Sequence, residues 1–209
     1  MIRLFEFAPT RSMRVRWMLQ ELEVSFEATT INLLRGDHTR ADYLRINPAG
    51  KLPALIDNDV VLTESVAIVL YLGQKYPAKG FVPSDIRERA QLDRWLMFAA
   101  TELEQPLWRI ARNANLYPPE KRLPKDIDNA RDDFTAMITV LNEHMTSRRY
   151  VMGDKVSAAD FVMAHTLDWA NEVGLLAGTP LLQAYIERMF ERAKAPPRIA
   201  QALADIARQ

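Results

Sequence analysis

The pattern of apolar and polar positions changes period once along this chain. Ile2-Arg3-Leu4-Phe5-Glu6-Phe7 alternates, which predicts a strand. Ala8-Pro9-Thr10-Arg11-Ser12 follows as a loop. Ser12 is placed to cap a helix whose apolar face holds Val15, Met18, Leu19 and Leu22. Phe26 to Ile31 reads as a second strand, and a helical crossover between two strands predicts a parallel βαβ unit. Leu52 to Ile56 and Val60 to Leu62 are short strands joined by Asp57-Asn58-Asp59, residues that tolerate the positive φ of a hairpin turn. An apolar helix opens at Ser65 with Thr63 or Glu64 as its cap. It runs to about Lys75, where Pro77 blocks extension.

Beyond Ala78-Lys79-Gly80-Phe81-Val82-Pro83 the pattern is helical throughout. Ser84 or Asp85 starts a long helix through Gln91, Trp95, Phe98 and Leu103, with a kink expected near Pro106. Asp126 to Met145 reads as its partner, with Ala130, Phe134, Met137, Ile138 and Leu141 on one face. Ser157-Ala158-Ala159-Asp160 has the spacing of a capping box before Phe161-Val162-Met163-Ala164. A further helix runs from Pro180 to about Ala193, and Pro196-Pro197 opens a terminal segment. The expected organisation is an α/β domain over residues 1–77, a linker over 78–85 and an all-helical domain over 86–209.

Composition narrows the chemistry. Lys plus Arg number 27 and Asp plus Glu number 27 among 209 residues, so the formal charge is zero and bulk charge gives no support to nucleic-acid binding. No apolar run approaches the roughly 20 residues of a membrane span, and Met1 to Glu6 has no secretory pattern, so a cytoplasmic location is expected. The chain has no cysteine, which excludes disulfides, thiolate metal sites and a cysteine nucleophile. Any thiol chemistry must use a thiol carried by a substrate. His38, His144 and His165 are widely spaced and form no metal-ligand pattern, so no metal is expected.

Asn47-Pro48-Ala49-Gly50-Lys51-Leu52-Pro53 is the most informative stretch. A proline at the mouth of a strand removes a ladder donor. A cis Leu52-Pro53 bond would turn the chain and leave the Leu52 N–H and C=O facing a cleft, where an extended ligand can pair with them. The alternative is an ordinary trans proline at a strand start. Downstream, the first turn of the helix at Ser65 presents unpaired N–H groups to a ligand carboxylate. There Glu64 offers an acceptor for an ammonium and Ser65 a hydroxyl for a carboxylate.

These motifs, followed by Val66-Ala67-Ile68 and Tyr71-Leu72, resemble the N-terminal domain of the cytosolic glutathione transferases, of a bacterial, serine- or threonine-dependent type. The helical remainder resembles the family's second domain, so the resemblance covers nearly the whole chain. It implies a thioredoxin-like βαβ-ββα domain followed by an all-α domain, and glutathione as co-substrate. It places the tripeptide against His38 and Lys51 at the glycine carboxylate, Leu52 and Pro53 at the cysteinyl part, and Glu64 and Ser65 at the γ-glutamyl end. It also implies a homodimer and a role in detoxification.

The family places a Tyr, Ser or Cys in the loop after the first strand, to stabilise the glutathione thiolate. Counting back from Val15, the serine of zeta- and tau-like members falls on Pro9, which has no donor. Counting forward from Ala8-Pro9, the cysteine of beta-like members falls on Ser12. A bacterial subgroup with Ala-Pro-Thr here uses the threonine, which matches Thr10. Ser12 is taken first and Thr10 second. For a small, apolar electrophilic second substrate, Trp108, Arg109, Arg112 and Tyr117 supply aromatic and cationic character. Two other readings stay open: a glutathione-dependent disulfide or peroxide reductase, and a non-catalytic adaptor of the same fold.

Overall fold

A computed structural model gives the structure of the chain and describes residues 1–208. The chain folds as two compact units. One is Met1–Val82 together with the segment from Phe190 onward, and the other is Pro83–Met189.

The first unit is built on four strands, β1 (Ile2–Glu6), β2 (Phe26–Thr30), β3 (Ala54–Asp57) and β4 (Val60–Thr63), in the order β2-β1-β3-β4. β1 pairs parallel with β2, Leu4 opposite Ala28, and antiparallel with β3, Leu4 opposite Leu55. The helix α1 (Ser12–Leu22) supplies the crossover that a parallel pair requires. Asn58, at positive φ, closes the expected β3–β4 hairpin. Next along the chain from β2 come two short 3-10 turns and the one-turn helix α2 (Ala41–Leu44), and α3 (Ser65–Lys75) follows β4. None of the turns between Leu33 and Leu44 carries a long enough apolar period to be read from sequence.

The alternation of β1 sends its side chains to two faces. Ile2 and Leu4 are buried in the core that α1 and α3 supply with Val15, Met18, Leu19, Ile68, Val69 and Leu72. Each such side chain withdrawn from water contributes about 1.5–3 kcal/mol. Phe5 instead joins Ile31, Tyr43, Leu52 and Ala54 in a second cluster. Gly73 marks a close approach: a Cβ there would stand 2.4 Å from Val82 Cγ2. The segment from Phe190 docks on α1. The Trp17 and Phe190 rings are 4.9 Å apart, and Arg192 grips the Glu21 carboxylate through two bonds of 2.6 Å.

The second unit is helical. α4 (Ile86–Phe98) is capped by Asp85, whose carboxylate accepts from the N–H groups of Arg87 and Glu88. A π-helical turn at Ala99–Leu103 joins it to α5 (Glu104–Ala111). The expected kink near Pro106 therefore takes the form of a widened turn just before the proline, whose missing N–H cannot continue a regular ladder. A second π-helical turn, Arg112–Leu116, ends α5. α6 (Pro124–Met145) buries Ala130, Phe134, Ile138 and Leu141. α7 (Ala158–Glu172) is buried on nearly every side and starts at the expected capping box. Asp160 accepts from the N–H groups of Val151 and Ser157, from the Ser157 hydroxyl and from the hydroxyl of Tyr185 on α8 (Pro180–Phe190). The terminal segment forms α9 (Ile199–Ala207).

Two capping expectations are corrected. Ser12 is the first residue of α1, and Arg11, with no side-chain cap bond, holds the N-cap position. The Ser12 hydroxyl turns back to Phe7 instead. Glu64 holds the N-cap position of α3, but its side chain makes no cap bond.

Candidate functional site

The loop from Phe7 to Ser12 folds on itself around one carbonyl. Ala8-Pro9 is a cis bond. The Thr10 hydroxyl donates to Phe7 O at 2.6 Å, and the Ser12 hydroxyl lies 3.1 Å from the same oxygen. The two hydroxyl oxygens are 2.7 Å apart. Ser12 also accepts from the Phe7 N–H at 3.1 Å and is 0% exposed. Thr10 is half-buried and stands just before the positive end of α1. Of the two expected hydroxyls, only Thr10 is on the surface of the fold.

The turn into β3 is clamped from behind. The Tyr43 hydroxyl donates to Lys51 O at 2.6 Å and Asn47 Nδ2 donates to it at 2.7 Å. Burial pushes the Tyr43 phenol up to about 12, against the smaller opposing effect of its bond with Asn47, so it stays a donor at neutral pH. Leu52-Pro53 is cis. Leu52 is 7% exposed, and among the described residues its N–H and C=O make no hydrogen bond. A buried main chain normally finds partners, so this pair of groups is available to an extended ligand.

Gly50, at φ 59°, lets the turn pass under His38. A Cβ there would meet His38 O at 3.1 Å. Among the described residues His38 Nδ1 is buried without a hydrogen-bond partner, while Lys51 is exposed. These contacts bring His38 beside the turn that carries Lys51 and Leu52, although the two parts are more than ten positions apart in sequence.

Glu64 adopts φ 64° and ψ 111°, which a non-glycine residue rarely does. Such strain is held at junctions the surrounding structure over-determines. Here the exposed carboxylate stands at the mouth of α3, beside the first N–H groups of that helix. Ser65 is 5% exposed and accepts from Arg14 Nη1 at 3.3 Å. Arg14, Tyr43 and Asn47 carry no local sequence signal for these roles, because each acts through a tertiary contact.

In the second unit the Trp108 indole packs edge-on against Trp169, with centroids 5.2 Å apart, and the Arg112 guanidinium lies 5.7 Å from the Trp108 ring. Tyr117 is 38% exposed and follows the second π-helical turn. Arg109 is held by Asp126 at 2.6 Å and by Asp133, so its charge is already spoken for. Among the described residues there is no grouping of His, Cys, Asp and Glu that could hold a metal ion. No helix among them is long and apolar enough to cross a membrane.

Comparison with known proteins identifies the family. Residues 1–74 match the family model "Glutathione S-transferase, N-terminal domain" and residues 105–193 match "Glutathione S-transferase, C-terminal domain". The chain belongs to the glutathione S-transferase family. Glutathione S-transferase F10 of Arabidopsis thaliana is 34% identical over 152 residues, 70% of this chain and 69% of that one. A glutathione transferase of Methylococcus capsulatus superposes with a TM-score of 0.84 at 27% identity, over 99% of this chain and all of that one. The transferase URE2P6 of Phanerochaete chrysosporium, solved with oxidised glutathione, gives a TM-score of 0.83 at 25% identity, over 99% of this chain and 96% of that one. In this member of the family the thioredoxin-like domain carries Thr10, Ser12, His38, Lys51, Leu52, Pro53, Glu64 and Ser65. The helical domain carries Trp108, Arg109, Arg112 and Tyr117.

Proposed function

We propose that this chain is a cytoplasmic transferase that binds glutathione on its first unit and joins the glutathione sulfur to a small, mostly apolar electrophile. The observation that carries the reading is the Leu52 main chain, buried and unpaired at the end of a clamped turn. The cysteinyl N–H and C=O of glutathione would pair with it as an added strand does. His38 and Lys51 would take the glycine carboxylate, and Glu64 and Ser65 the γ-glutamyl ammonium and carboxylate.

A thiol has a pKa near 8.5 and needs help to ionise at neutral pH. Thr10 is assigned that work and Ser12 a positioning role. With Ser12 accepting from the Phe7 N–H and donating to Phe7 O, the Thr10 hydroxyl is free to donate a hydrogen bond to the sulfur, whose own proton passes to water. The α1 N-terminus adds positive potential. The thiolate then forms a carbon–sulfur bond, and the leaving group departs with the bonding electrons or, in an addition, the carbanion takes a proton from water. Binding brings the reactants together, which is the larger part of such catalysis. Trp108, Arg112 and Tyr117 are assigned to the electrophile. Arg109, tied to two carboxylates, is assigned to the fold.

Glutathione calorimetry on wild type, Thr10→Ala and Ser12→Ala, with a panel of aryl halides and Michael acceptors, tests this. Binding with conjugation is the expected result, and absent conjugation across the panel would overturn it. A disulfide or peroxide reductase is the second reading, favoured by the oxidised glutathione bound to the URE2P6 relative. Turnover of a mixed glutathione disulfide without conjugation would establish it. Failure to bind glutathione at all would leave the adaptor reading. The active species is proposed to be a homodimer that serves detoxification, and a monomeric mass in light scattering would remove the dimer.

A further inference from the structure

Arg14 is among the largest wholly buried side chains of the chain, at 0% exposure. It lies on α1, and its Nη1 reaches 51 residues along the sequence to Ser65 Oγ at the start of α3. A guanidinium has only donors, so in this contact the serine oxygen must accept. The hydroxyl is left with one hydrogen. Among the described residues that hydrogen has no acceptor: Arg14 is the only hydrogen-bond partner of the Ser65 side chain, which is itself 5% exposed.

A buried hydroxyl that must donate and finds nothing to donate to is a site for an acceptor. Its surroundings select the acceptor's charge. The guanidinium on the oxygen polarises the O–H, and Ser65 opens α3, whose first N–H groups have no side-chain cap and add positive potential there. An anionic oxygen gains most from this arrangement, because hydrogen bonds to ionised groups are about twice as strong as neutral ones.

We infer that Arg14 is a positioning residue that fixes Ser65 as a donor and thereby makes the α3 end of the site selective for a carboxylate. The inference rests on the proposed glutathione site and identifies the buried group that sets specificity at its γ-glutamyl end. Arg14 acts through Ser65 and not by touching the ligand.

The test compares two ligands: glutathione, and the analogue γ-aminobutyryl-cysteinyl-glycine, which keeps the ammonium and lacks only the γ-glutamyl carboxylate. The ratio of their dissociation constants is measured by calorimetry for wild type, Ser65→Ala, Arg14→Gln and Arg14→Lys. Wild type should prefer glutathione. Ser65→Ala and Arg14→Gln should each shrink that preference by roughly tenfold, Arg14→Lys by less, and the Arg14→Gln, Ser65→Ala pair by no more than either alone. A purely structural role for Arg14 would weaken both ligands together and leave the ratio where it was, which would overturn the inference. If Arg14→Gln does not fold, Ser65→Ala and Arg14→Lys decide: an unchanged ratio in both overturns it. Wild type that binds neither ligand overturns the glutathione reading, and the inference falls with it. Wild type that binds glutathione while the ratio is unmoved in the variants overturns the inference alone.

Discussion

The Thr10 and Ser12 hydroxyl oxygens sit 2.7 Å apart, and both reach the carbonyl of Phe7. Two hydroxyls have two hydrogens to share between that carbonyl and each other, so one can be released outward without leaving the carbonyl bare. Only Thr10 has access to solvent. Thr10→Ala should lower kcat/KM for conjugation by roughly 100- to 1,000-fold, the size of effect seen on losing one donor to a catalytic anion. It should raise the pKa of bound glutathione, seen as loss of the thiolate absorbance at neutral pH. Thr10→Ser should keep most of both. Ser12→Ala should give a smaller loss in the same direction. A larger loss for Ser12→Ala than for Thr10→Ala would return the role to Ser12.

Gly50 and His38 make a second testable contact. Gly50→Ala combines a φ of 59° with a Cβ 3.1 Å from His38 O. The left-handed conformation alone costs an alanine about 1–2 kcal/mol. Thermal unfolding should fall accordingly, and glutathione should bind more weakly because His38 and the Lys51 turn must shift. A variant as stable as wild type would show that the turn relaxes freely.

At Glu64 stability and function are expected to part. Its φ of 64° and ψ of 111° suit glycine, so Glu64→Gly should stabilise the fold by about 0.5–1 kcal/mol after the entropy of the extra glycine is counted. The same change removes the carboxylate assigned to the γ-glutamyl ammonium and should weaken glutathione binding roughly tenfold. Chemical denaturation and calorimetry on one preparation read both effects. A variant that binds as well as wild type would dissociate Glu64 from the ligand.

In the helical unit, His144 lies half-buried with its ring 3.9 Å from that of Trp95 and Nε2 2.8 Å from Val151 O. Burial holds its pKa below the ordinary 6.5, helped by the Arg148 and Arg94 charges and opposed by the Val151 bond. The folded state therefore binds fewer protons at this residue than the unfolded chain does. Its contribution to stability is complete above 6.5 and is lost as pH falls from there through the folded value. The melting temperature of wild type should drop more steeply below 6.5 than that of His144→Gln. Parallel curves would show that another group titrates there.

Much of this was legible along the chain, and the rest failed for identifiable reasons. The strand alternation of Ile2 to Phe7, the Asp57-Asn58-Asp59 turn and the Ser157–Asp160 capping box are local signals, and each stands in the structure where the pattern puts it. Arg14 is different. An arginine on an amphipathic helix reads as a surface residue, and its contact with the Ser65 hydroxyl, far along the sequence, carries no local signal. Asn47 stands in the motif that the sequence singles out, but its side-chain bond to Lys51 O and the Tyr43 bond beside it depend on α2 folding over the turn. Ser12 misled for a similar reason: a serine at a helix start usually caps, and here the Phe7 main chain competes for it.

The docking of the last segment on α1 has a consequence for synthesis. Trp17 and Glu21 leave the ribosome early, yet the Phe190 ring and Arg192 guanidinium that cover and pair them emerge only after the whole helical unit has been made. A nascent chain released short of residue 190 would carry an indole without its Phe190 neighbour and a carboxylate without its Arg192 partner on the unit that bears Thr10, Leu52 and Ser65. Completion of the first unit is thus deferred until the helical unit between its two segments has been made, which ties the integrity of the one to the synthesis of the other.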